Sequence, residues 1–140
     1  MVPKLPAAGT KNLFLRDKSG KRHVLLVIPN RKQVNLKRFA EKYGYKNLSL
    51  ASTERLRTYL GVDPGAVSLL CLINDEKNAV EVYIDEELWH AHALACHPLR
   101  NDMTLVLAVY DVKKILKILK YEVNVIKLKD DSQVTFEEGK

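Results

Sequence analysis

Two β-type runs, NLFLRD at residues 12–17 and RHVLLVIP at 22–29, flank the tetrapeptide KSGK. Its Ser-Gly pair supplies turn chemistry, so the two runs read as a hairpin. A hairpin near the start, with others later between helices, argues against a regular doubly wound βαβ sheet. The rest of the periodicity keeps to that mixed order. In NLKRFAEKYG, Asn35 can cap a helix, Leu36, Phe39, Ala40 and Tyr43 share one face, and Gly44 stops it. A short strand, NLSLA, precedes a second helix that Ser52 can cap, carrying Leu56, Tyr59 and Leu60 and halting at Gly61. AVSLLCLIN (66–74) reads as a buried strand, and AVEVYID (79–85) as its partner across Asn74-Asp75. A helical segment around EELWHAH leads to the strand ALACH, the turn PLRND and the strand MTLVLA. Asp111 is expected to cap VKKILKILK, with Val112, Ile115, Leu116 and Leu119 inward and four lysines outward. The strand EVNVIKL follows, then a polar tail from about residue 129. The expected architecture is α/β (α+β): one mixed, largely antiparallel sheet, partly closed and flanked by helices.

With 140 residues, 46% apolar and 29% charged, the chain can bury one core and is not of disordered composition. No apolar run approaches the roughly 20 residues of a membrane-spanning helix, and MVPKLPAAGTK lacks a signal-peptide core. A cytoplasmic protein is expected. Cys71 and Cys96 have no metal-ligand spacing and read as reduced, packed residues. The net charge of +6 is unevenly spread: residues 1–47 balance to +10 and the remainder to −4. Such asymmetry points to a polyanion-attracting surface as readily as to a solvated, lysine-rich face.

P-loop, GxGxxG, GxSxG and HExxH patterns are absent. His90 and His92 have no evident third ligand and read as partly exposed histidines; His23, opening a strand, is expected at a surface. GVDPGAVS (61–68) is more suggestive, because a Pro64-Gly65 turn can present backbone N–H groups to a carbonyl or an anion. By itself it is also an ordinary helix-to-strand turn.

Taken in order, TKNLFLRD (10–17), GVDPGAVS (61–68), LIND (72–75) and HPLRNDMT (97–104) resemble the prolyl-tRNA editing domains. These are free-standing aminoacyl-tRNA deacylases related to the domain inserted in bacterial prolyl-tRNA synthetase. The resemblance spans roughly residues 7–128. It implies an α/β protein whose mixed sheet bends around the site and which hydrolyses a wrongly attached aminoacyl ester, most often Ala-tRNA(Pro), without metal or other cofactor. By matching position it implies that Lys11 meets the phosphate or ribose at the tRNA 3′ end. Gly65 and Ala66 would hold the aminoacyl carbonyl through their amides. His97 would line the amino-acid pocket, and Asn101, Ser68 and Thr10 would contact substrate. The expected partner is tRNA(Pro), with prolyl-tRNA synthetase a second candidate. Residues 1–140 would be a single editing domain without the extension that usually precedes the lysine motif. Here AAGTK lacks the family's histidine, and Leu69 and Cys71 replace a proline and a glycine that shape the pocket wall. A non-catalytic tRNA- or aminoacyl-binding relative and a general nucleic-acid-binding protein are the rival readings.

Overall fold

The computed structural model describes residues 8–96 and 105–128. The hairpin forms as expected: β1 (Ala8–Arg16) and β2 (His23–Pro29) are antiparallel, in register from Thr10↔Pro29 to Arg16↔His23. Its turn is organised by Asp17, whose carboxylate accepts from Ser19 Oγ (2.9 Å) and from the Lys21 and Arg22 amides (both 3.2 Å). The caps of the first two helices also fall where the sequence places them. Asn35 accepts from the Arg38 amide to start α1 (Leu36–Tyr43), and Ser52 accepts from the Arg55 amide to start α2 (Thr53–Leu60). Gly44 (φ 80°) and Gly61 (φ 68°) end these helices in the left-handed conformation that glycine adopts without Cβ strain. Between the helices lies β3 (Ser49–Leu50).

Residues 66–74 are not a strand. Leu69–Asn74 is a 3₁₀ helix, opened by the Ser68 side chain accepting from the Leu70 amide. Leu69, Cys71 and Leu72 are buried whereas Ile73 is 62% exposed, a pattern incompatible with period-two alternation. Consequently β4 (Val80–Asp85) has no hairpin partner there. The Asp75 carboxylate accepts from the Ala79 and Val80 amides (3.1 and 2.8 Å) and turns the chain into β4, which runs parallel to β2. Next come α3 (Glu86–Trp89), β5 (Ala93–Cys96), β6 (Leu105–Ala108), α4 (Val109–Ile118) and β7 (Val123–Ile126). Asp111 does not cap α4: the N-cap is Ala108, with no side-chain bond, and Asp111 lies in the first turn. Val112 and Leu116 are buried there, while Ile115 is 36% exposed.

The described strands form one mixed sheet in the order β6-β5-β1-β2-β4-β7, with β3 paired to β1 off that path. It curls into a half-barrel flanked by helices. Three strand pairings are antiparallel (β1–β2, β1–β3, β5–β6) and three parallel (β1–β5, β2–β4, β4–β7), so the mixture is even rather than largely antiparallel. All seven residues of β2 are buried, because both faces of the sheet are covered. Val24, Leu26 and Ile28 pack with Phe39 and Ala40 of α1 on one face. Leu25 and Val27 pack with α2, the 3₁₀ helix and α4 on the other. His23 is likewise inside, 1% exposed, contrary to the surface position expected of it. Its ring lies 5.5 Å from Phe14 and 4.0 Å from Tyr59, centroid to centroid, and Arg55 Nη1 is 3.1 Å from Nε2. Among the described residues, no helix is long and apolar enough to cross a membrane.

Candidate active site

The site begins with how β1 divides one of its edges. Along its other edge it pairs with β2 from Thr10 to Arg16. On this edge, Ala8 and Gly9 pair with β5 while Leu15 and Arg16 pair with β3. Residues 10–14 therefore have no strand beside them among the described residues, and only the Phe14 carbonyl there accepts a loop amide, from Ala51 at 2.9 Å. The 61–68 loop approaches this opening. Thr10, Asn12, Gly65 and Val67 line a cavity of about 170 Å³.

Thr10 Oγ1 donates to the Ala95 carbonyl of β5 at 3.0 Å and accepts from Asn12 Nδ2 at 3.3 Å. This relay fixes two polar side chains at the point where β5 stops pairing with β1. Strand alternation puts Thr10 and Asn12 on the face of buried Phe14. Lys11 lies between them and so projects from the opposite face, that of Leu13 and Leu15. The structure thus does not bring Lys11 into the cavity. Its ammonium has no ion-pair partner among the described residues.

Across the cavity, the Ala66 N–H donates to the Asp63 carbonyl at 3.1 Å, closing a turn over Pro64 and Gly65. Gly65 has φ 95°, and proline at the first central position with positive φ at the second defines a type II turn. Of the two amides assigned to carbonyl binding, Ala66's is therefore already engaged. That of Gly65 has no partner among the described residues. The Cys71 thiol donates to the Ala66 carbonyl at 3.3 Å from within the core, and burial pushes its pKa up. Arg57 Nε pairs with Asp63 at 2.7 Å on the outside. The turn is thus held from both ends. Ser68 is 1% exposed, its side chain engaged in opening the 3₁₀ helix rather than lining the cavity. His97 and Asn101 lie outside the described residues.

Asn12 and Val67 are the lining residues that sequence reasoning passed over. Asn12 did leave a signal. Asparagine is disfavoured within strands, and this one sits two residues before Phe14 on what should be an apolar face. The described lining holds an unengaged amide, a hydroxyl, a carboxamide and an apolar wall, with no nucleophilic thiol or general-base carboxylate. Such a set can orient a carbonyl and receive charge developing on its oxygen. Among the described residues no group of three or more His, Cys, Asp and Glu side chains could hold a metal ion.

The sequence model of the aminoacyl-tRNA editing domain matches residues 3–115. The chain belongs to that family. It is 43% identical over 107 residues to the prolyl-tRNA editing protein ProX of Acetoanaerobium sticklandii, an alignment covering 76% of this chain and 65% of that one. It is 35% identical over 119 residues to prolyl-tRNA synthetase associated domain-containing protein 1 of Danio rerio, covering 83% and 64%. The chain thus spans just under two thirds of either relative's length. Among solved structures, a candidate trans-editing enzyme for prolyl tRNA synthetase superposes with a TM-score of 0.61 over 86% of this chain and 71% of that one. At 18% identity this likeness concerns the fold alone.

Proposed function

We propose that this domain hydrolyses the ester of a wrongly attached amino acid on tRNA, acting in trans, with Ala-tRNA(Pro) as its substrate. The observation that carries the reading is that Gly65, whose amide has no partner among the described residues, lines the same cavity as Thr10 and Asn12. An aminoacyl ester is already activated, so a site need only position water and stabilise the oxyanion. Water adds to the ester carbonyl, and the Gly65 N–H receives the charge on its oxygen. The C–O bond to the ribose then breaks, and the departing sugar oxygen takes up the proton given off by the attacking water to become a hydroxyl. In this family the neighbouring ribose hydroxyl is thought to assist the attack, which leaves little acid–base work to side chains. Thr10 and Asn12 hold the aminoacyl end, His97 and Asn101 line the amino-acid pocket, and Lys11, on the opposite face of β1, contacts the 3′-terminal phosphate or ribose from outside the cavity.

The engagement of Ala66 favours a second reading, a tRNA-binding relative without turnover, because it leaves one amide donor where two were expected. Amino-acid release from Ala-, Cys-, Ser- and Pro-tRNA(Pro) and Ala-tRNA(Ala), with Lys11→Ala as comparison, separates the two. Lys11-dependent loss of Ala-tRNA(Pro), sparing Pro-tRNA(Pro), is expected. Survival of every ester while tRNA still binds would establish the non-catalytic reading, and turnover unchanged in Lys11→Ala would remove that residue's role.

A further inference from the structure

We infer that a groove between α3 and α4 is a second tRNA contact, holding the phosphate backbone away from the 3′ end; the identity of this occupant rests on the function proposed above. The groove encloses about 400 Å³ and is lined in part by Trp89, Lys113, Lys117, Lys120, Tyr121 and Glu122. Lys113 and Lys117 are one turn apart on α4, about 6 Å along its axis. Lys120 follows just beyond the helix end, its backbone at φ 66°. The Lys113 ammonium lies 4.6 Å from the centre of the Trp89 ring. That contact holds a cation at the groove without neutralising it. Tyr121 is fixed by its hydroxyl, which donates to the Asp75 carboxylate at 2.8 Å.

Charge decides the partner. None of the three lysines has an acidic partner among the described residues, and Glu122 is the one acid in the lining. The N-terminal third is richer in cations by sequence, yet there Arg22 pairs with Glu81 (2.8 Å), Arg31 with Glu87 (2.6 Å) and Lys32 with Asp85 (3.1 Å). Lysines near a helix C-terminus also complement its dipole, but that does not account for an aromatic ring set among them. A row of cations beside an aromatic ring matches a ribose-phosphate backbone. The placement is consistent: Trp89 and Leu116 pack into the same core as Phe14 and Ala66, so groove and cavity share one side of the sheet.

Trp89 is the sole tryptophan, so its emission reports on the groove directly. Uncharged tRNA should be titrated against wild type and against the triple variant Lys113→Gln, Lys117→Gln, Lys120→Gln at 50–200 mM salt, with thermal melting to confirm equal folding. Each lysine–phosphate contact contributes about 0.7–0.9 to the slope of log affinity on log salt. Three contacts correspond to roughly a 20–40-fold fall in affinity across that range, which the variant should lose. In wild type, tRNA should shift Trp89 emission and salt should reverse the shift. An unchanged slope in a folded variant, or tRNA binding that leaves Trp89 emission untouched, would overturn the inference. Binding does not require turnover. If groove-dependent binding appears and no ester is cleaved, it is the deacylase reading that fails.

Discussion

Gly65→Ala puts the proposed oxyanion donor to its most direct trial. At φ 95° the residue lies where an L side chain is strained, a cost of about 1–2 kcal/mol. The chain has two ways to respond. It can keep the type II turn and bear that strain, lowering Tm by roughly 3–7 °C. Or the Pro64–Gly65 peptide can flip to a type I turn, whose second central residue has φ near −90° and accepts alanine readily. The flip preserves the Ala66-to-Asp63 hydrogen bond, so stability changes little, but it reverses the direction of the residue-65 N–H. Losing one such donor costs about 10²–10³ in rate. Single-turnover deacylation of the substrate found in the tRNA panel, measured beside thermal melting, reads both quantities. A variant that melts normally yet is slowed by that factor indicates the flip. A D-alanine at the same position, introduced by semisynthesis, suits positive φ and should restore the rate. Undiminished turnover in a normally melting Gly65→Ala protein would refute the donor role. Loss in both the L- and D-alanine proteins would show that the added methyl crowds the cavity and that amide direction is not the cause.

Other consequences concern stability. Lys32 is 4% exposed, its ammonium 3.1 Å from Asp85 and 3.0 Å from the Leu128 carbonyl, and Asp85 is fully buried. Lys32→Met should cost about 3–5 kcal/mol in denaturant unfolding, and adding Asp85→Asn should recover part of it; a loss below about 1 kcal/mol would mean the pair is not desolvated. Burial, followed by the Arg55 charge, pushes the His23 pKa down. The folded state thus keeps His23 neutral while the unfolded chain protonates near pH 6.5. Its contribution is complete above that pH and is lost progressively as pH falls from there through the lower folded value. Unfolding free energies of wild type and His23→Gln between pH 7 and 5 should converge as the pH drops, and parallel curves would contradict the assignment.

Most local signals were legible in the sequence, the Asp111 cap excepted; signals that depend on distant partners were not. Asn35, Ser52, Gly44 and Gly61 act within one helical turn, and each cap forms as read. Residues 66–74 misled because a run apolar on every side has no period to read. Its decisive feature is the Ser68 cap, which a strand has no use for. His23 is buried by Tyr59 and Arg55 from α2, brought to it only by the tertiary fold. For the site, the motifs pointed to Thr10 and Gly65. Period-two reading of TKN would already have separated Lys11 from its two neighbours and drawn Asn12 in.

β1 carries the proposed substrate site on the face it shares with buried Phe14, while its other face packs beneath α1. Thr10 and Asn12 meet the cavity, while Leu13 and Leu15 meet the core beneath α1. Positions 10 and 12 thus face different neighbours from positions 13 and 15, although they are adjacent along one strand. Selectivity can then be altered at Asn12 while Leu13 and Leu15 keep the core beneath α1, whereas Thr10 also ties β1 to β5 through the Ala95 carbonyl. Seven register pairs to β2 keep the two sets from exchanging roles, since a slip by one residue would turn each face into the other.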